Sequence, residues 1–344
     1  MKDEGFLHGA RTHAKVRRAL FFNGWAVKPL RAAVIGVGYL GKYHAQKYAA
    51  LQDVELVAVA DENLARAAEV AREYGCRAVA DFHAILGEAD LVSIVVPTER
   101  HHVVAQACLE AGAHILVEKP VTRTLEEADD LIRLAAARGR VFQVGHVERF
   151  NPAVLALQEV LREPLFIESY RLASFKPRGT DVDVVLDLMI HDIDIILNLV
   201  QSEIADVRPI GFPVLTDEVD IGHARLEFAN GCVANVTASR VSDKALRKVR
   251  VFQHDAYLSI DLHNPKFVCW RRLRDGEGAA RLASEEKEFP QTDLLLEEVR
   301  AFVSAVRGGT PPVVSGTDGK RALEVALRIS AGMGQAWPPP ERGA

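Results

Sequence analysis

Six residues constrain this chain more than any others: Gly36-Val37-Gly38-Tyr39-Leu40-Gly41, set between a short apolar run, Ala32–Ile35, and a helical stretch from about Tyr39 to Leu51. Each glycine in such a turn has its own task. Gly36 makes the tight bend out of the strand, Gly38 lets a pyrophosphate approach the backbone, and Gly41 lets helix and strand pack closely. The helix start adds free N–H groups and partial positive charge for phosphates. Asp61 closes a second apolar run, Val54–Ala60, twenty residues after Gly41. A carboxylate there accepts hydrogen bonds from an adenosine ribose and repels a 2′-phosphate, so with Glu62 beside it the pattern favours NAD over NADP. Two plainer readings remain open: the glycines could serve packing alone, and Asp61 could simply cap the helix after it.

The chain around this motif alternates regularly. Helical patterns at Leu64–Tyr74, near Phe82–Leu86, at His101–Ala111 and at Leu125–Arg138 separate strand-like runs at Arg77–Ala80, Leu91–Val96, His114–Val117 and Val141–Val144. Strands alternating with helices imply right-handed parallel βαβ units, and runs that are apolar throughout imply a sheet buried on both faces. Residues 31–150 are therefore read as an α/β domain, a Rossmann doubly wound parallel sheet. After Phe150 the pattern changes. Helices at Pro152–Leu161 and about Val182–Val200 flank a strand-like run, Pro164–Leu172, and alternating segments follow at Asp220–Phe228, Cys232–Val241, Lys248–Gln253, Tyr257–Leu262 and, more weakly, Phe267–Arg271. An Asn230-Gly231 pair between two alternating runs is a strong hairpin signal. Residues 151–336 are read as an α+β domain with a large open, mostly antiparallel sheet. Within it, 272–290 are expected to be a charged mobile loop, and two helices, about Thr292–Arg307 and Thr317–Met333, close the chain before a Pro-rich tail at 337–344.

Composition narrows the function. With 42 Lys and Arg against 47 Asp and Glu, the chain lacks the basic excess of a nucleic-acid-binding protein. No apolar run approaches the ~20 residues that span a bilayer. Cys76, Cys108, Cys232 and Cys269 form no CxxC pair, which fits a reducing cytoplasm and neither a disulfide framework nor a zinc site. Residues 1–30 carry six Lys or Arg against two acids and are expected to be a poorly ordered basic leader, with a transit peptide as the alternative.

Two places carry candidate chemistry. Glu118-Lys119-Pro120 ends the fifth strand, beside the nicotinamide side of such a sheet, and Pro120 biases Lys119 toward extended backbone. An ammonium there can hold a substrate hydroxyl and stabilise an alkoxide as hydride leaves; an ordinary surface lysine is the plain alternative. Asp187 and His191 lie four apart on a strongly apolar helical stretch and so share a face. Ionisable groups in such a stretch need partners or a function. A histidine can take a hydroxyl proton near neutral pH, with Asp187 to orient or tune it. His191 could instead be a satisfied core histidine, or Asp187, His191 and Asp194 could hold a metal. Asp192, nearer the opposite face, reads as a solvated or paired acid.

Taken in order, GVGYLG, Pro97-Thr98 with His101, Glu118-Lys119-Pro120 and Asp187-x-x-x-His191 resemble the Gfo/Idh/MocA family of sugar and cyclitol oxidoreductases over residues 31–335. The resemblance implies a catalytic group of Lys119, Asp187 and His191. It implies NAD held by Gly36, Gly38, Tyr39, Leu40, Gly41, Asp61, Pro97, Thr98, His101 and Glu118, no resident metal, and a homodimer or homotetramer formed through the exposed face of the C-terminal sheet. A narrower resemblance lies in Gly145–Pro152 (GHVERFNP), Phe175–Thr180 (FKPRGT) and Val233–Arg240 (VANVTASR), which are similar to the bacterial UDP-N-acetylglucosamine 3-dehydrogenases. That likeness implies a sugar-nucleotide substrate oxidised at its 3-hydroxyl, a partner aminotransferase that consumes the ketone, and a place in lipid A precursor synthesis. Lys176, Arg178 and Arg240 are candidate cations for the diphosphate, and Arg149 and Asn151 candidate sugar or uridine contacts; each could equally be solvated or structurally paired. A free sugar, inositol or sugar-acid substrate, and a non-catalytic NAD-binding regulator, are the competing expectations.

Overall fold

In the computed structural model, residues 21–22, 25–26, 28–176, 182–273 and 281–333 are described. Arg178, the tail and nearly all of the basic leader fall outside them. Of the leader, Phe21–Phe22 pairs antiparallel with Trp25–Ala26, and the first strand of the main fold begins at Leu30.

Six strands form the first sheet: β1 (Leu30–Ile35), β2 (Val54–Ala60), β3 (Arg77–Val79), β4 (Leu91–Ile94), β5 (His114–Glu118) and β6 (Phe142–Gly145). They lie in the order β3-β2-β1-β4-β5-β6, all parallel. The order reverses between β1 and β4, which opens a crevice at the carboxyl ends of the strands where a dinucleotide lies. Every residue of β4 is buried, as a sheet covered on both faces requires. One face packs on α3 (His101–Glu110) and α4 (Leu125–Arg138) through Val104, Ala105 and Leu131. The other packs on α1 (Tyr39–Ala50) and α2 (Leu64–Tyr74) through Ala45, Tyr48 and Val70.

The second sheet has eight strands: β7 (Phe166–Leu172), β8 (Ile204–Phe212), β9 (Ile221–Phe228), β10 (Val233–Ser239), β11 (Leu246–Gln253), β12 (Ala256–Asp261), β13 (Lys266–Leu273) and β14 (Arg281–Glu288). Their order is β8-β9-β10-β7-β11-β12-β13-β14, antiparallel except where β10 meets β7. The Asn230-Gly231 turn joins β9 to β10 as the sequence predicts, with Gly231 at φ +87°. Both outermost strands depart from expectation. Arg281–Glu288 lies inside the segment read as a loop, and Ile204–Phe212 carries Pro209 and Gly211, which mask its pattern. Charge and proline belong on edge strands, where one side of the ladder needs no partner.

One face of this sheet is covered by α5 (Pro152–Val160), α6 (Ile190–Val200) and part of α8 (Gly316–Met333). The helix α7 (Leu294–Gly308) follows the second sheet in the chain yet packs on the first, through Val299, Phe302 and Val303. On α8, Leu323 enters the core of the first sheet while Ala326 and Ile329 enter that of the second. The two cores are thereby tied together around the crevice.

Candidate active site

The turn after β1 fits a dinucleotide in detail. Gly36 has φ +84°, and a Cβ there would lie 2.4 Å from the Val95 carbonyl oxygen; a Cβ on Gly41 would lie 1.8 Å from the Gly36 oxygen. Both must be glycine on packing grounds. Gly38 is different: a Cβ there would meet only the Arg66 guanidinium, at 4.0 Å, so the space above it is open for a pyrophosphate. Gly38 starts α1 with no side-chain cap and no acid in the first turn, which leaves the helix N-terminus available to an anion. Tyr39 and Leu40 are exposed along the same turn. Asp61 accepts from the Val37 and Asn63 N–H groups at 3.0 and 2.9 Å, which aims its carboxylate at the turn. The helix cap is Asn63, accepting from Arg66 N–H, so the plain reading of Asp61 as the cap is displaced.

Pro97 and Thr98 lie just beyond β4, at the crevice. His101 does not face it. Its ring nitrogens lie 2.9 Å from the Val96 and Pro120 carbonyl oxygens, and the side chain is buried. It ties α3 to the Glu118–Pro120 turn, which corrects its expected role as a cofactor contact. Glu118 is held from behind: His44 Nε2 donates to it at 3.0 Å, and His44 Nδ1 and Tyr48 Oη both meet Ser93 Oγ, at 3.2 and 2.9 Å. Burial works to raise the Glu118 carboxyl, but the His44 hydrogen bond and the Lys119 charge outweigh it and leave it below the usual range.

Lys119, Asp187 and His191 converge. Lys119 Nζ donates to the Asp187 backbone oxygen at 2.7 Å and lies 3.9 Å from its carboxylate. Asp187 sits in a π-helical turn, Val185–Met189, that leads into α6, and Asp183 caps this segment by accepting from the Val185 and Leu186 N–H groups. The wider turn re-aims the Asp187 side of the helix without breaking it, a device common at functional sites. Burial lowers the Lys119 ammonium, with Asp187 and Glu118 resisting and Arg171 adding to the lowering. Burial, followed by the charges of Lys119 and Arg171, pushes His191 well below its usual value, so its ring is neutral at pH 7. His191 Nδ1 is buried without a hydrogen-bond partner, which is not a satisfied core histidine.

Beneath these three groups lies an ionic floor that sequence reasoning largely missed. Arg149 donates to both Asp194 oxygens, at 2.6 and 2.8 Å, with both side chains almost fully buried. That pairing withdraws Arg149 as a substrate contact and removes Asp194 as a third metal ligand. Arg171 pairs with Asp192 and with Glu148, the latter at 3.0 Å, and Ser169 donates to Asp192 at 2.6 Å. Asn151 is spent as the cap of α5 and on Glu148 and the Leu262 carbonyl, so it too is structural. Arg240 is buried, donates to the Val182 oxygen at 2.7 Å and faces Asp220 at 3.9 Å; it braces the loop after β7 and does not offer its charge to the cleft. Lys176 is exposed at the end of the described part of that loop. A signal for Arg171 was present: strand alternation puts it on the core face with Ile167 and Ser169. His146, buried with both ring nitrogens unpartnered, sat unremarked in the GHVERFNP segment.

Comparison with known proteins agrees with this geometry. Residues 30–146 match a family model described as an oxidoreductase family with an NAD-binding Rossmann fold, and 170–258 match a GFO/IDH/MocA C-terminal domain. A UDP-N-acetylglucosamine 3-dehydrogenase of Acidithiobacillus ferrooxidans is 43% identical over 87% of this chain and 96% of its own. Its crystal form superposes with a TM-score of 0.83 over 88% of this chain and 97% of that one, at 42% identity. An NAD+-dependent scyllo-inositol 2-dehydrogenase of Bacillus subtilis is 28% identical over 87% of this chain and 92% of its own. With a glycine turn and Asp61 shaped for NAD, and Lys119, Asp187 and His191 meeting at the strand ends beside it, this chain belongs to the Gfo/Idh/MocA family of NAD-binding oxidoreductases.

Proposed function

We propose that this enzyme oxidises the 3-hydroxyl of UDP-N-acetylglucosamine to the 3-keto sugar with NAD. The observation that carries the reading is the meeting of Lys119, Asp187 and His191 in a chain so similar, over nearly its whole length, to an enzyme of that activity. Bound NAD supplies the hydride acceptor. Lys119 donates a hydrogen bond to the reacting hydroxyl oxygen and stabilises its developing negative charge. The neutral His191 ring takes the hydroxyl proton as the carbon loses hydride, so alcohol becomes ketone with one proton and one hydride removed. Asp187 holds Lys119 through its backbone oxygen and its carboxylate. Glu118 is the acid behind Lys119, and Asp61, Pro97, Thr98, Tyr39 and Leu40 line the cofactor side.

The 3-keto product is chemically ready for condensation with an amine, so an aminotransferase is the fitting consumer, as in the synthesis of a lipid A precursor with an amide-linked chain. A cytoplasmic homodimer or homotetramer is the corresponding assembly. It is supported by an aromatic row on the face of the second sheet opposite its helices: Phe166, Phe252, Tyr257 and Trp270 lie directly opposite one another across four strands. Among the described residues no helix is long and apolar enough to cross a membrane.

The test is NADH formation with UDP-N-acetylglucosamine against free N-acetylglucosamine and myo-inositol, with a carbonyl trap present to draw off the ketone. NADH from the UDP-linked sugar alone is the expected result. Turnover of the free sugar or the inositol without the UDP-linked sugar overturns the reading.

A further inference from the structure

Four arginines, Arg149, Arg171, Arg240 and Arg247, are unequally committed. Arg149 is bound through two donors by Asp194, Arg171 by Asp192 and Glu148, and Arg240 by the Val182 carbonyl beside Asp220. Arg247 differs from all three. Among the described residues its guanidinium makes no hydrogen bond, and its only ion pair is a 3.6 Å approach to Glu148 Oε1, an oxygen that already accepts from Arg171. Its side chain is 45% exposed.

Its place in the fold explains the difference. Arg247 shares strand parity with Val249 and Val251, which point into the core, so it lies on the helix-covered face of the second sheet. It stands at the start of β11, opposite the end of β7, where the chain leaves the sheet for the loop that leads to Asp187. Arg247 is exposed there, whereas Val249 and Val251 further along the same face are buried. Its approach to Glu148, which also pairs with Arg171, puts it at the margin of the ionic floor under the site. Arg247 is also paired directly across the strands with Arg171. Like charges in that arrangement repel, and each close pair needs an anion to offset it. Arg171 has two. Arg247 has a share of one.

We propose that Arg247 grips the diphosphate of the sugar nucleotide, a cation that the sequence pattern did not single out. The inference rests on the sugar-nucleotide reading above and names the contact within that site. A guanidinium offers a planar fork of N–H donors that fits two phosphate oxygens at once, and a half-exposed fork with no committed donor needs no rearrangement to do so. A bound diphosphate also supplies the missing anion for the Arg171–Arg247 pair. Specificity follows: a free sugar leaves Arg247 without a partner, whereas a UDP-linked sugar meets it.

The experiment uses Arg247→Gln and Arg247→Lys in the full chain, with steady-state kinetics and calorimetric titration of UDP into the NAD-loaded protein. Removing one arginine of a repelling pair spares the fold. Arg247→Gln is expected to raise KM for UDP-N-acetylglucosamine and weaken UDP binding together, by about ten- to hundredfold. It should affect kcat far less and leave KM for NAD within about twofold. Arg247→Lys keeps the charge without the fork and is expected to recover only part of the loss. If wild type binds UDP and turns over the sugar nucleotide while Arg247→Gln matches it in both measurements, the assignment of Arg247 is overturned and the sugar-nucleotide reading stands. If wild type neither binds UDP nor turns over its N-acetylglucosamine conjugate, both fall.

Discussion

Replacing Arg149 by methionine separates two accounts of the same residue. In the cleft it would be a substrate contact; in the structure it is one half of a buried pair, with Nε and Nη2 at 2.6 and 2.8 Å from the two Asp194 oxygens and both side chains at 7% exposure or less. Breaking such a pair strands the other charge in a medium that solvates it poorly, at a cost of roughly 3–5 kcal/mol. The Arg149→Met variant should therefore lose about that much stability, and its melting midpoint should fall by roughly 10 °C. Asp194→Leu should behave alike, since it leaves the guanidinium uncompensated. The double variant removes both charges and fills the space with apolar atoms, so it should return to within about 1–2 kcal/mol of wild type. Urea unfolding followed by tryptophan fluorescence measures all four proteins, and KM for UDP-N-acetylglucosamine is read at a temperature where each is folded. A stable Arg149→Met variant with KM raised tenfold, or a double variant no better than the worse single, would refute the structural account.

Three further outcomes follow from the site. Lys119→Ala should lower kcat by about 10²–10⁴-fold while NAD affinity, measured by NADH fluorescence titration, stays nearly intact; lost affinity with kcat preserved would move Lys119 out of the chemistry. Asp61 lies 3.3 Å from the Arg66 guanidinium, so Asp61→Ser both removes the repulsion toward a 2′-phosphate and releases an arginine to meet one. The ratio of kcat/KM for NADP over NAD should rise roughly tenfold or more. Asp220 accepts from the Val214, Leu215 and Thr216 N–H groups and the Thr216 hydroxyl; burial works to raise its carboxyl, and these donors outweigh it and bring it from 3.8 down to about 2. The folded value lies below the unfolded one, so this stability is present above about pH 4 and is lost as pH falls through 2. It is worth about 2 kcal/mol; about 1 kcal/mol of it is lost between pH 6 and pH 3, and urea titrations at those two values should show that share of the pH dependence vanish in Asp220→Asn.

The parts legible in the sequence are those built from local rules. A glycine turn between a strand and a helix, six apolar strand-like runs and an Asn-Gly hairpin each declare themselves within a dozen residues, and all stand where they were expected. Lys119, Asp187 and His191 were legible because ionisable groups in apolar or proline-fixed surroundings are conspicuous. What stayed hidden depends on partners far apart in the chain. Arg149 meets Asp194 across 45 residues, Arg171 meets Asp192 across 21, and no spacing rule distinguishes these arginines from ones that face a ligand. His101 looked like a cofactor ligand because it follows Pro97-Thr98; the carbonyls it meets at Val96 and Pro120 belong to two different strand ends. The edge strands Ile204–Phe212 and Arg281–Glu288 were obscured by proline and charge, which are what an edge tolerates.

The ionic floor has a consequence for the chemistry above it. Asp192 and Asp194 follow His191 by one and three residues on the same helix, and two free carboxylates there would raise the imidazole and favour its protonated form. Each is instead tied to an arginine, Asp192 to Arg171 and Asp194 to Arg149, while burial, followed by Lys119, Arg171, His146 and Arg247, bears on the ring. Burial sets the balance at His191 and the nearby cations add to it, so the ring is neutral and able to accept a proton. A floor of leucines could hold the fold as well as these pairs do, because buried ion pairs are rarely more stable than apolar packing. It would not place Arg171 where its charge adds to the effect of burial on the imidazole. Burial lowers Lys119 as well, with Arg171 adding to it, so that an ammonium able to polarise a hydroxyl stands beside a base that is empty. A bound diphosphate on Arg247 would weaken one of the charge influences on His191. Substrate binding would then move the ring toward proton uptake at the stage of the cycle where a proton has to be received.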